Sequence, residues 1–227
     1  MNMTDSKKAL IIGASRGIGL GVVDVLAKRG WQVTATTRDA VPAKSPASVE
    51  WVKLDINKSD AREAVKDALS ESRFDLIFVN AGVFGPDHQD IHQATDEEII
   101  QLLLTNAISP VRTAAEFLPL LNHRTGVLAL MTSELSSLNE NEVATYPLYS
   151  ASKAALNMLT RGLQEATEKQ ELTLLSVHPG WVKTDMGGED ATLTVEESAT
   201  GIADQFDAFR GKGGHHFVEY SGRKLRW

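Results

Sequence analysis

Gly13-Ala14-Ser15-Arg16-Gly17-Ile18-Gly19 follows a short apolar run at 8–12 and opens a helix-period segment that reaches Gly30. Strand, glycine loop and helix in that order set unpaired N–H groups and the positive end of a helix dipole where a pyrophosphate can bind. Glycine lets the chain turn tightly and approach a ligand with no Cβ in the way. The spacing is Gly-x-x-x-Gly-x-Gly, not the Gly-x-Gly-x-x-Gly of the commonest dinucleotide fold, so a different glycine faces each phosphate. A structural turn without a ligand is the bland alternative, and the strand–loop–helix context outweighs it.

Outward from this loop, β-rich runs recur at 8–12, 31–36, 49–54, 75–80, 127–132, 172–178 and 217–220. Leu76-Ile77-Phe78-Val79 is apolar throughout, as strands covered on both faces are. Helical segments lie between most of them. Thr95-x-x-Glu98 and Thr194-x-x-Glu197 are capping boxes, and Ala61, Ala64, Val65, Ala68 and Leu69 form an apolar stripe. The alternation predicts a single doubly wound α/β domain over 1–227, a mainly parallel sheet flanked by helices. The segment 39–48, with Pro42 and Pro46, is too short for an interdomain linker and reads as a surface loop.

Composition bounds the function. The chain has 227 residues with a formal charge of −7, which disfavours a nucleic-acid partner. It has no cysteine, which removes disulfides, thiolate metal sites and cysteine nucleophiles together. Apolar runs of a few residues cannot span a membrane, and the polar start 1–8 lacks the apolar core of a signal peptide. The expectation is a soluble, cytoplasmic protein.

Tyr149-Ser150-Ala151-Ser152-Lys153 opens a helical segment, and residues four apart share a helix face. A free phenol, with a pKa of about 10, is a poor acid–base group at neutral pH; a neighbouring cation favours its ionised form. A surface Tyr–Lys pair is the bland reading. Ser133 follows the fifth run, beyond the carboxyl end of a strand, where ligands of open α/β sheets bind.

Gly13 to Gly19, Asn80-Ala81-Gly82, Asn106, Ser133, Tyr149-x-x-x-Lys153 and Pro179-Gly180 occur in one order. The chain thereby resembles the short-chain dehydrogenase/reductase family, in the manner of a small carbonyl reductase, from Lys7 to about Tyr220. The resemblance implies a seven-stranded Rossmann-type sheet, order 3-2-1-4-5-6-7, and NAD(P)-dependent hydride transfer to or from a carbonyl. It makes Tyr149 the general acid/base and gives Lys153 the nicotinamide ribose and a lower phenol pKa. Ser133 would align the substrate oxygen, and Asn106 would support a water relay. Pro110, four residues on, has no N–H for the Asn106 carbonyl, so a helix over 95–121 should kink there.

The cofactor contacts implied are Gly13, Ser15, Arg16, Gly17, Ile18, Gly19, Thr37, Arg38, Asp55, Ile56, Asn80, Ala81, Gly82, Tyr149, Lys153, Pro179, Gly180, Val182 and Thr184. Substrate would meet Ser133, Leu135, Tyr149, Trp181 and Met186, on loops at about 83–94, 134–147 and 181–194. Val83 and Phe84 would add apolar lining. An acid at the end of the second strand would select NAD, but Thr37 stands there, followed by Arg38. With Arg16, this favours NADP(H) over NAD(H), which remains possible; a surface pair of Arg38 with Asp39 is the competing reading.

Two departures from the family stand out. Ile12 occupies a position that is often threonine, which forgoes one hydrogen bond. The gap from Ser133 to Tyr149 is long, so 135–147 should form an extra loop over the site. Tyr146 has Ser150 at +4 and cannot head a Tyr–Lys pair. His88 and His92 read as loop residues, His178 as structural and His215-His216 as strand-edge or surface residues; none has a matching ligand set, so no metal is expected. Asp96-Glu97-Glu98 reads as a dipole-complementing helix start. The partners expected are a small carbonyl compound and copies of the chain itself, as a homodimer or homotetramer. The competing functions are a nucleotide-binding signalling or regulatory protein with little turnover, and an epimerase or dehydratase.

Overall fold

The computed structural model describes residues 6–227. Its strands are β1 (Lys8–Ile12), β2 (Gln32–Thr37), β3 (Glu50–Lys53), β4 (Leu76–Val79), β5 (Val127–Met131), β6 (Thr173–His178) and β7 (His215–Glu219). They form one sheet in the order β3-β2-β1-β4-β5-β6-β7, with every adjacent pair parallel. Each expected run is a strand. The seventh begins two residues earlier than its apolar pattern, at His215, because the two histidines pair with Leu174 and Leu175 of β6.

The helices are α1 (Gly17–Lys28), α2 (Ser59–Ala68), α3 (Asp96–Leu103), α4 (Ser109–Phe117), α5 (Pro147–Arg161), α6 (Gln164–Glu168) and α7 (Val195–Phe209). Side-chain alternation along each strand sends alternate residues to opposite faces. Ala9, Ile11, Phe78, Ala129 and Val177 meet Val22, Val23 and Leu26 of α1 and Ile202 and Phe206 of α7. Leu10, Ile12, Ile77, Val79 and Leu128 meet Val65 of α2, Phe117 of α4 and Leu156 of α5. Two cores therefore sandwich the sheet, which is why the central runs are apolar at every position.

The segment 95–121 is not one kinked helix. Between α3 and α4, residues Leu104–Ile108 form a π turn, and Leu118–Leu120 close the stretch as a 3-10 turn. The Ser109 N–H reaches back five residues to the Leu104 carbonyl. Pro110 cannot make the regular bond to Asn106, and the helix widens there by one residue. The helical segment that carries Tyr149 and Lys153 is likewise interrupted at Gly162, which separates α5 from α6. Both capping boxes are present as expected.

Candidate active site

The strand order reverses between β1 and β4, and the crevice there lies at the carboxyl ends of the strands. Gly13 leaves β1 with φ +80°, and a Cβ on it would sit 2.7 Å from the Ala81 backbone nitrogen beyond β4. Only glycine allows those two chain segments to touch. The contact is locked by Asn80 Nδ2, which donates to the Gly13 carbonyl at 2.7 Å. The loop is also held from β2. There Thr36 Oγ1 accepts the Gly13 N–H at 3.1 Å, and the Thr36 carbonyl accepts the Ala14 N–H.

A cleft of about 480 Å³ opens from this crevice, within the ordinary range for a small-molecule site. One wall is the glycine loop with Ser15, Arg16, Gly17 and Ile18; the next is Thr37 and Arg38, then Asp55 and Ile56. Asn80, Ala81 and Gly82 form the floor, Tyr149, Lys153 and Pro179 close the far end, and Met186 and Thr184 complete the lining, Thr184 Cγ2 lying 3.4 Å from where a Cβ on Gly17 would stand. The expected residues thus converge, with exceptions. Gly19 packs beneath the loop, where a Cβ would strike the Gly13 carbonyl and Asn80. Gly180 is needed against Leu193 and Tyr220, and Val182 is buried beneath the 181–194 segment. Asn106 and Ser133 are buried behind the lining, Leu135 lies outside it, and the Trp181 ring is exposed with Nε1 donating to the Gly187 carbonyl. The lining also includes Leu54, Asn57, Thr105, Thr132, Lys183 and Asp185, which carry no motif in the sequence.

The donor set fits a dinucleotide. Helix α1 starts with no side-chain cap and no acidic residue in its first turn, so its N–H groups and positive dipole end face the cleft uncompensated. Thr37 Oγ1 donates to the Ala40 carbonyl and accepts the Asp39 N–H, which shapes the turn that presents Arg38. Arg38 makes no ion pair among the described residues, so the surface pair with Asp39 is not formed. Arg16, expected to face a phosphate, instead bonds Asp185 of the 181–194 segment at 3.0 Å. Both side chains are largely exposed, and a pair of that kind contributes little and exchanges readily.

At the far end, α5 carries Tyr149 and Lys153 one turn apart, with Lys153 Nζ 5.8 Å from the Tyr149 ring centre. Lys153 Nζ donates to the Met131 carbonyl at 3.0 Å and is otherwise buried, which pushes its pKa down to about 8. Desolvation pushes the Tyr149 phenol up to about 12, and the neighbouring Ser133 hydroxyl pulls the other way. In the free protein, then, burial outweighs the Ser133 hydrogen bond. The phenol is held protonated.

The Asn106 side chain is fully committed. Its Oδ1 accepts the Val83 N–H, and its Nδ2 donates to the Val83 carbonyl and to Ser152 Oγ. Gly82 fits between Asn106 Oδ1 and Lys153 Nζ, each 3.3 Å from where a Cβ would stand. Phe84 stacks on Tyr149 with ring centres 5.5 Å apart, and Tyr146 packs edge-on against Phe84. Behind Ser133, His178 pairs with Glu134, while Arg223 bridges Glu134 and Glu219. Of the three potential ligands Glu134, His178 and Glu219, the two carboxylates therefore already share a guanidinium.

The glycine loop at the uncapped start of α1 and the Tyr149–Lys153 pair share the walls of one cleft, at the switch point of a doubly wound sheet. That is the arrangement of an NAD(P)-dependent oxidoreductase. Residues 7–193 match the family described as short chain dehydrogenase, and the chain belongs to it. A carbonyl reductase from Pseudomonas aeruginosa, crystallised with NADP, is 41% identical with a TM-score of 0.89, over 98% of this chain and all of that one. A short-chain dehydrogenase/reductase from Burkholderia multivorans with bound NADP is 35% identical with a TM-score of 0.93, over 98% and 100% of the two chains. The C-signal of Myxococcus xanthus is 34% identical over 158 residues, 67% of this chain and 92% of that protein. Among the described residues, no helix is long and apolar enough to cross a membrane.

Proposed function

We propose that the protein reduces a ketone or aldehyde with NADPH, or oxidises the corresponding alcohol, with Tyr149 as the proton donor or acceptor. The observation that carries this is the Tyr149–Lys153 pair at the end of the cleft, with the phenol held protonated next to Ser133. When bound, the nicotinamide cofactor supplies or accepts the hydride. The chain's own residues do the rest. The first turn of α1, Ser15 and Arg16 hold the diphosphate, and Arg38 meets a 2′-phosphate. Asp55 and Ile56 receive the adenine, and Lys153 the nicotinamide ribose. Thr184 and Pro179 line the nicotinamide end. Ser133 hydrogen-bonds the substrate oxygen, and the Tyr149 hydroxyl gives that oxygen its proton. The Asn106 carbonyl, which Pro110 cannot bond, is the acceptor for a relay water that returns a proton through Lys153. Val83 and Met186 give the substrate end an apolar lining, and Phe84 and the exposed Trp181 would meet a substrate that extends beyond it. The NADP-bound relatives support the choice of cofactor. The protein acts as a cytoplasmic homo-oligomer.

The C-signal relative supports a second reading, a signalling protein on the same fold. Tyr149→Phe separates the two. NADPH oxidation followed by absorbance against a panel of ketones, aldehydes and quinones should fall at least a thousandfold, with NADPH affinity within about twofold of wild type. Unchanged turnover overturns the role of Tyr149. No turnover by the wild type on any carbonyl favours the signalling reading, and turnover without net NADPH consumption favours an epimerase or dehydratase.

A further inference from the structure

Helix α5 bears both Tyr149 and Lys153, yet it starts with no cap of its own. Its N-cap residue, Tyr146, is in left-handed backbone (φ 50°), and Pro147 brings no N–H. The cap comes from sixty residues away, where Gln89 Oε1 accepts the Tyr149 N–H at 2.8 Å. Gln89 is itself buried and left-handed (φ 53°), a conformation a non-glycine residue keeps only where its surroundings impose it. Its Nε2 donates to the Pro86 carbonyl at 2.8 Å and to the Phe84 carbonyl at 3.3 Å. Two carbonyls on one side and an N–H on the other leave the amide one orientation, since the reverse sets oxygen against oxygen.

The same peptide is gripped from its other end. Ser152 Oγ donates to the Tyr149 carbonyl at 2.6 Å and accepts from Asn106 Nδ2 at 2.9 Å. Asn106 in turn holds both the N–H and the C=O of Val83 at 2.8 Å. Tyr149 thus has its N–H tied to Gln89 and its C=O tied, through Ser152 and Asn106, to Val83. Both ties run to one segment, 83–94, whose Phe84 also stacks on the Tyr149 ring.

We propose that Gln89 is a positioning residue for Tyr149, coupling the 83–94 loop that meets the substrate to the placement of the phenol that protonates it. The inference rests on the proposed reductase reading. A helix cap alone would change stability; a positioning residue changes kcat.

The test compares Gln89→Leu and Gln89→Glu with wild type for steady-state kinetics, NADPH affinity, thermal unfolding and hydrogen exchange at the Tyr149 amide. Gln89→Leu should lower kcat about tenfold or more, since small displacements of a reacting group carry losses of that order, with KM and NADPH affinity within about twofold. The Tyr149 amide should lose its protection. Glutamate mimics the amide only when protonated, offering one donor to Pro86 and one acceptor to Tyr149. The kcat ratio of Gln89→Glu to wild type should therefore approach one toward about pH 5 and fall above about pH 7, where the carboxylate still accepts the Tyr149 N–H but repels the Pro86 and Phe84 carbonyls. Taking the ratio cancels titration of His88, Asp90 and His92 on the loop, of Glu98 beside His88, and of Tyr149 and Lys153 across from it. Wild-type turnover by Gln89→Leu, a loss confined to the melting temperature, or a pH-independent ratio overturns the proposal. If Gln89→Leu does not fold, the glutamate ratio decides alone. If the wild type reduces no carbonyl, the reductase reading fails. Amide exchange then judges the grip: protection lost in Gln89→Leu supports it, and protection unchanged overturns it.

Discussion

Lys153 shows at the residue scale how function and stability oppose each other. Burial pushes its pKa down to about 8, against 10.5 for an ordinary lysine. Between those values the unfolded chain binds the proton that the folded protein has lost, so stability rises with pH from about 8 to 10.5. At neutral pH the folded protein carries the full penalty of a buried ammonium, on the order of 3 kcal/mol. Tyr149, pushed up to about 12, acts in the opposite sense, and its contribution is lost only as pH climbs from 10 to 12. Lys153→Met should therefore melt at a higher temperature than wild type at pH 7, with the gap closing by about pH 10, while activity falls at least a hundredfold. Calorimetry across pH reads the first and NADPH oxidation the second; a variant less stable at pH 7 contradicts the burial argument. Arg38 makes a simpler case. It is exposed beside Thr37 and unpaired among the described residues, so Arg38→Ala should raise the KM for NADPH about ten- to hundredfold and leave that for NADH nearly unchanged. Equal effects on both cofactors would remove Arg38 from phosphate recognition.

At the element scale the π turn Leu104–Ile108 carries the argument. Pro110→Ala restores an N–H four residues after Asn106 and lets a regular helix compete with the wider turn. Asn106 would then shift against Val83 and Ser152. The expected outcome is a five- to tenfold loss of kcat with an unchanged or higher melting temperature, read by kinetics and calorimetry on the same sample; wild-type kcat shows that the proline serves packing only. Elements of this kind mark where the sequence stops being legible. The seven strands, the two capping boxes and the glycine loop can be read because each is set by local pattern: apolar runs, Thr-x-x-Glu, and glycines where φ is positive. The disruption at Pro110 can be located from the missing N–H, but not its form, because α3, the π turn and α5 settle it through packing. Gln89 and Asn57 are invisible for a related reason. A glutamine in a polar loop has no periodicity, and its role exists only once β4 brings that loop against a helix sixty residues further on. Arg16 is legible as a cation near the phosphate site, whereas its bond to Asp185 depends on how the 181–194 segment folds back.

On the scale of the whole molecule, the sheet buries both of its faces within one chain, which leaves helix surfaces, loops and the edge strands β3 and β7 for any association. Ile100 and Leu103 lie three apart on α3, and Met158 and Leu159 lie on α5; these are among the large apolar side chains left exposed. Helices α3 and α5 pack against each other, so the four belong to neighbouring elements on the side of the sheet away from α1 and α7. Singly exposed apolar residues need no explanation, but a set of four on adjacent helices does. A chain of net charge −7 resists association unless such a surface outweighs the repulsion. A stable pair needs roughly 800 Å² from each partner, which four apolar side chains and their neighbours can supply. Light scattering should therefore give two or four times the chain mass of 24.7 kDa. Ile100→Lys with Met158→Lys should reduce it to a single chain. Because the cleft opens at the strand ends and neither residue lines it, NADPH affinity should stay within about twofold. A wild-type mass of one chain, or a double variant that keeps its assembly, would show that these helices face solvent for some other reason.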